Sequence, residues 1–110
     1  MKIRFRRITG FRLFRWGRRQ LEVWFCPRGE MIPAHWHDHC DSRLTFLGGG
    51  MLWEFNGRRK LCGWRQIGLT KKIPKGETHA ALVTGRFGLF LNWETWDCDP
   101  SSAATDFVYE

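Results

Sequence analysis

A chain of 110 residues has room for one hydrophobic core rather than two. Its 43% hydrophobic content, with seven Trp and nine Phe, excludes a disordered chain, since so many large rings are not left in water. The formal charge of +7 is concentrated at the start, where Lys2, Arg4, Arg6, Arg7, Arg12, Arg15, Arg18 and Arg19 stand with no acid among them.

In chain order, segments 3–8, 11–16 and 20–26 alternate Ile, Phe, Val or Trp with Arg or Glu, the period-two pattern of half-buried strands, and Gly10 and Gly17 punctuate them. After Pro27, Gly29 and Pro33 comes a His-rich stretch at 35–39, then a strand at 43–47 that ends in the triple glycine 48–50. Met51, Trp53 and Phe55 share one strand face. Asn56-Gly57 is the preferred sequence of a type I′ hairpin turn, with Lys60 to Trp64 as the returning arm. Further strands are predicted at about 65–73, 78–84 and 86–94, separated by Pro74, Gly76 and Gly85. No window of ten or more residues carries a capped helical stripe, so the expected architecture is all-β: one domain over 1–110, a small β-barrel or sandwich over about 3–94, and an acidic tail over 97–110 that may be read as loose or as laid against the basic N-terminal strands.

The basic start suits an anionic partner, but Lys and Arg also blunt exposed sheet edges, and that plainer reading is preferred. No run approaches the roughly 18 apolar residues of a membrane span, and the Arg-rich start lacks the apolar stretch of a secretory signal; a cytoplasmic location with no membrane partner is the expectation. Cys26, Cys40, Cys62 and Cys98 form no C-x-x-C pair and fit reduced thiols.

His35, His37 and His39 alternate, so at least the first two imidazoles can converge on one point inside a barrel. Gly29-x5-His35-x-His37-x3-Asp41-x6-Gly48 resembles the first motif of the cupin superfamily, and Gly68-x5-Pro74-x-Gly76-x2-His79 resembles the second. The two motifs span residues 29–83, half the chain. The resemblance implies a double-stranded β-helix, or jelly-roll-like barrel, with one divalent metal ion (Fe, Mn, Ni, Co or Zn) held by His35, His37, Asp41 and His79. Two positions depart from the pattern: Asp41 stands where the family has Glu, one carbon shorter, and Val83 replaces Asn.

Other candidates surround this set. His39 is the rival ligand; Cys40 has the opposite parity; Asp38 is either an acceptor for an imidazole or a solvated loop residue. If Asp41 points inward, strict alternation brings Arg43 and Thr45 with it, making Arg43 a clamp for a substrate carboxylate or phosphate; a bulge between 38 and 43 would turn it outward instead. Trp53 is a substrate-stacking candidate, although Met51, Trp53 and Phe55 read first as the inward face of the hairpin. Glu77 and Glu94 are candidate general bases only if they face the cavity.

The preferred function is a metal-dependent enzyme of oxygenase, isomerase or lyase type acting on a small, perhaps anionic, molecule. The alternative is a non-catalytic ligand-binding or sensing barrel. Nucleic-acid binding through the basic N-terminal strands ranks last, because any exposed strand shows the same alternation. A homodimer is a further expectation, since members of the superfamily it resembles often pair and an apolar N-terminal strand could be exchanged.

Overall fold

A computed structural model describes residues 2–5, 7–97 and 107–109. Nine strands follow in order: β1 (Lys2–Phe5), β2 (Ile8–Trp16), β3 (Arg19–Pro27), β4 (Met31–His37), β5 (Cys40–Phe55), β6 (Arg58–Cys62), β7 (Thr70–Ile73), β8 (His79–Trp96) and β9 (Phe107–Tyr109). All described pairings are antiparallel. The only helical element among the described residues is a 3-10 turn at Trp64–Gln66, and no helix there is long and apolar enough to cross a membrane.

The two long strands organise everything else. β5 and β8 pair from Cys40–Trp96 to Phe55–His79, with register shifts between Phe46 and Gly48 and between Gly49 and Met51. The first half of β5 and the second half of β8 join β7 on one side and β3, β2 and β1 on the other. Their remaining halves join β6 on one side and β4 and β9 on the other. The sheet therefore folds over at the shifts, and its inner faces meet. Trp53 from one half sits edge-on to Phe90 from the other, with ring centroids 5.0 Å apart. Trp24, Phe46, Met51, Phe55, Ala81 and Val83 complete the core around them.

Triple glycine 48–50 and Gly85 are thus bends within strands, not the breaks expected from the sequence, because a ladder can continue through a bulge. Gly49 shows why glycine is needed: it has φ +81°, and a β-carbon there would collide with the carbonyl oxygen of Phe87. Gly10 lies inside β2 with the Trp24 indole packed over it, 2.7 Å from where a β-carbon would stand.

The Asn56-Gly57 hairpin is present, with φ +50° and +85° at its two central residues, and Met51, Trp53 and Phe55 face inward as expected. The strand expected over 65–73 is confined to Thr70–Ile73. Before it, the backbone N–H of Gly63 donates to Gln66 Oε1 at 2.8 Å, closing the 3-10 turn and leaving Trp64 and Ile67 exposed. In the tail, Phe107–Tyr109 pairs with β4, not with the N-terminal strands; residues 98–106 and 110, including Cys98, lie outside the described residues.

The collision at Gly49 and the open turn at Gly57 separate two costs of glycine replacement. Gly57→Ala, with nothing near its β-carbon, should cost about 1 kcal/mol for its left-handed backbone alone. Gly49→Ala should cost about 3 kcal/mol, since the β5–β8 crossing must also part. Urea denaturation of the two variants checks this; equal midpoints would refute the crowding at residue 49.

Candidate metal centre and barrel interior

The alternation of β4 turns both His35 and His37 inward, and register places His35 opposite His79, the first residue of β8. All three imidazoles are buried. Ring centroids lie 4.2 Å apart for His35–His79, 5.1 Å for His35–His37 and 5.3 Å for His37–His79. One ring nitrogen from each lies within 4.8 Å of the others, a group able to hold a metal ion. Nitrogens about 2.1 Å from a common tetrahedral ion stand about 3.4 Å apart, so modest side-chain rotation closes the set.

Backbone carbonyls set two of the tautomers. His35 Nδ1 donates to Pro33 O at 2.7 Å and His79 Nδ1 to Glu77 O at 3.1 Å; a carbonyl only accepts, so in the neutral rings Nε2 is the nitrogen that carries the lone pair. Burial lowers the pKa of all three. It falls to about 3 for His37, where burial is reinforced by His79 and His35, and to about 4 for His79, where His35 adds to burial. Neutral imidazoles are the form that binds metal.

Asp41 does not join them, and this corrects the four-ligand expectation. The chain turns a corner at residues 38–39 as it passes from β4 to β5, which resets the alternation: Cys40, Ser42, Leu44 and Phe46 face in, and Asp41 and Arg43 face solvent. Asp41 Oδ1 accepts the backbone N–H of Lys75 at 2.8 Å. Arg43 and Thr45 do share the face of Asp41, but it is the outer one. With Phe14, Trp16 and Trp93 they line a groove of about 1070 Å³ on the outside of the sheet, so Arg43 is no clamp for a ligand in the barrel. Trp53 is core, 1% exposed and stacked on Phe55; only its indole N–H, which lacks a hydrogen-bond partner among the described residues, is left to meet a ligand.

The remaining candidates are also placed. His39 is exposed, with Nδ1 3.1 Å from Asp97 Oδ1. Asp38 accepts the Trp36 indole N–H at 3.1 Å. Cys40 is buried, its thiol 3.7 Å from Glu94 Oε2. Glu77 serves His79 through its backbone carbonyl.

Glu94 does face inward, and Glu22, which the sequence reading passed over, comes with it. Cross-strand rows on the inner face run Gln20–Glu94–Ser42 and Glu22–Asn92–Leu44, forming a polar band. Gln20 Nε2 donates to Glu94 Oε1 at 2.5 Å, Asn92 Nδ2 donates to Glu94 Oε2 at 3.2 Å, and Trp24 Nε1 donates to Glu22 Oε1 at 3.3 Å. Burial, then the charge of Glu22, raises the Glu94 pKa well above the ordinary carboxyl value. Glu22 is also raised by burial, with the hydrogen bond from Glu94 opposing it. Two adjacent buried charges are thereby disfavoured, and a proton shared between the carboxyls relieves the cost. The signal for Glu22 is the parity of Gln20, Trp24 and Cys26, which the equally apolar opposite parity of Leu21, Val23 and Phe25 obscures. Short links, five residues from His37 to Ser42 and six from Ile73 to His79, bring the polar band and the histidines to the same end of the barrel.

No protein-family model matches the chain, and no curated protein matches it in sequence. Solved structures match its fold. KdgF from Halomonas sp. superposes with a TM-score of 0.75 at 16% identity, covering 86% of this chain and 83% of that one. The Cnp3 cupin domain of Schizosaccharomyces pombe gives 0.73 at 15% identity, with 84% and 67% covered. A predicted oxalate decarboxylase from Thermotoga maritima gives 0.69 at 19% identity, with 81% and 80% covered. At these identities the likeness establishes the fold, a small cupin barrel.

The shared proton has a measurable sign. A carboxyl whose pKa is raised by folding contributes its full stability below the unfolded value, near 4.5, and loses it as pH rises through the folded value. The neutral Glu94→Gln variant should therefore gain thermal stability relative to the parent between pH 4.5 and pH 8. A difference in melting temperature that stays constant across that range would show that Glu94 is not raised.

Proposed function

We propose that this chain is a mononuclear metal-dependent enzyme, of oxygenase, isomerase or lyase type, acting on a small polar molecule inside the barrel. The observation that carries the reading is the pairing of two unlike sets in one interior: three buried imidazoles on one inner face and the buried carboxyls of Glu22 and Glu94 at the same end. His35, His37 and His79 would hold the ion. With three protein ligands and no carboxylate joining them among the described residues, such an ion would keep at least one position open and would supply Lewis acidity or, if redox-active, dioxygen activation. Fe, Mn, Ni, Co and Zn all suit three imidazoles, and affinity order alone does not choose among them.

The chain's own residues supply the rest. Glu94 gives up or takes a proton, with Glu22 holding its charge state and Gln20 holding its orientation. Trp53 Nε1, Gln20 Oε1 and Asn92 Oδ1 are buried without hydrogen-bond partners among the described residues, offering one donor and two acceptors to a bound molecule. Such a set suits hydroxyl and carbonyl groups. The expectation of an anionic substrate rested on Arg43 and loses its support with Arg43 outside. Three buried free thiols, Cys26, Cys40 and Cys62, suit the reducing conditions of the cytoplasm.

Among the described residues no carboxylate joins the ligand group, which favours a second reading, a barrel that binds a small ligand or metal without turnover. Metal analysis and turnover assays separate the two. Untagged wild type should hold near one equivalent of a first-row metal, His37→Ala should lose it, and Asp41→Ala should keep it. Across a panel of small hydroxy- and oxo-compounds, assayed under air and under nitrogen, Glu94→Gln should keep the metal and lose turnover about 100-fold or more. Full metal with no turnover in any assay would leave the binding barrel, and loss of metal in Asp41→Ala would overturn the three-histidine site.

A further inference from the structure

Between β6 and β7 the chain covers the open edge of β5 and carries large apolar side chains in water. Leu61, Trp64, Ile67 and Leu69 are 61%, 75%, 56% and 38% exposed. The edge is covered in three pieces: β6 pairs with Met51–Phe55, the 3-10 turn and its exit run past Phe46, and β7 pairs with Ser42–Thr45. All four side chains therefore lie along one edge of the barrel.

The turn is pinned in place. Gln66 N–H donates to Gly63 O and Leu69 N–H to Gln66 O, both at 2.9 Å; Gly68 N–H donates to Phe46 O at 2.7 Å, and Phe46 N–H to Leu69 O at 2.9 Å. Side chains three residues apart on a 3-10 turn eclipse, so Trp64 and Ile67 project from the same side of it. An apolar group held outward by a fixed backbone, and rimmed by polar residues, marks a contact surface. Charge decides what it contacts. Residues 58–72 hold Arg58, Arg59, Lys60, Arg65, Lys71 and Lys72, all exposed, and no Asp or Glu. Arg59 pairs with Glu54 at 3.4 Å, and the Arg65 guanidinium lies over the Trp64 ring, 5.3 Å from its centroid.

We propose that this edge docks the protein on an anionic membrane surface, with Trp64 and Ile67 entering the headgroup layer and the cations around them meeting the lipid charges. An indole beside aliphatic side chains and cations is what a membrane–water boundary takes. The backbone of the turn suits that layer too, because its hydrogen bonds are already closed within the protein. Nucleic acid, the other common polyanion, fits less well: Arg65 covers one face of Trp64, and the aliphatic neighbours Leu61 and Ile67 give bases nothing to stack on. The lack of an apolar span in the sequence does not bear on contact of this kind, which lies on a membrane rather than crossing it.

Co-sedimentation of the untagged full chain with lipid vesicles tests the docking, using phosphatidylcholine alone and phosphatidylcholine with about 30% phosphatidylserine, each in 50 mM and 500 mM salt. Wild type should bind the anionic vesicles in 50 mM salt, weaken about 10-fold or more in 500 mM, and leave the neutral vesicles unbound. Trp64→Ser and Ile67→Ser, two separate exposed substitutions, should each weaken binding about 10-fold with circular dichroism unchanged; if one misfolds, the other decides. Each cation near such a surface is worth about fivefold in affinity, so Lys60→Gln combined with Lys72→Gln should weaken binding about 25-fold at low salt. No binding to anionic vesicles in 50 mM salt, equal binding to neutral ones, or indifference to a folded Trp64 or Ile67 variant would each overturn the proposal. So would displacement from the vesicles by a single-stranded oligonucleotide whose own binding is lost in Trp64→Ser, since the edge would then belong to nucleic acid.

Discussion

Pairing of β5 with β8 through a bend is the constraint on which the rest of the molecule depends. Each of these strands serves both halves of the folded sheet, so their alternation is carried across the corner and decides what the interior contains. On β8, His79 and Glu94 lie at opposite ends of one strand and in different halves of the sheet, yet both face inward. Glycine at position 49 is the local condition for this, since any side chain there would meet the Phe87 backbone. A barrel built this way can hold a basic ligand set and an acidic pair without a loop crossing its interior.

Two buried carboxyls and three buried imidazoles are expensive in a 110-residue chain, and the structure offsets that expense in different ways. The imidazoles are kept neutral by burial and anchored by backbone carbonyls, so no charge enters the core. The carboxyls are supported by Gln20 and Asn92, and half-buried Arg12 favours the charged form of Glu22, against the burial that raises its pKa. A polar band of this kind could be replaced by apolar side chains with less strain on folding. Its retention between the apolar rows of Trp24–Phe90–Phe46 and Trp96–Cys40 is the structural argument for a chemical role.

Much of this was legible in the sequence, and each failure has its own physical cause. The hairpin at Asn56-Gly57, the inward face of Met51, Trp53 and Phe55, and the convergence of His35 and His37 all follow from local rules of turn chemistry and alternation. Asp41, a ligand only by motif resemblance, faces solvent because the corner at residues 38–39 resets the alternation, and that corner leaves no mark stronger than a pair of polar residues. Glu22 was hidden for another reason: the uniformly apolar parity of β3 is Leu21, Val23 and Phe25, so period two turns Gln20 and Glu22 outward, whereas the structure buries both.

β9 lies along the edge of β4, with Tyr109 opposite His35 and Phe107 opposite His37. The strand that carries two of the three histidines is therefore laced to the last described residues of the chain. A polyhistidine tag attached beyond them would begin one strand away from the candidate ligands His35 and His37 and bring competing imidazoles within reach of any ion held there. For this protein, the choice of fusion end is a chemical decision: a C-terminal handle would purify a molecule whose metal-binding behaviour belongs partly to the handle.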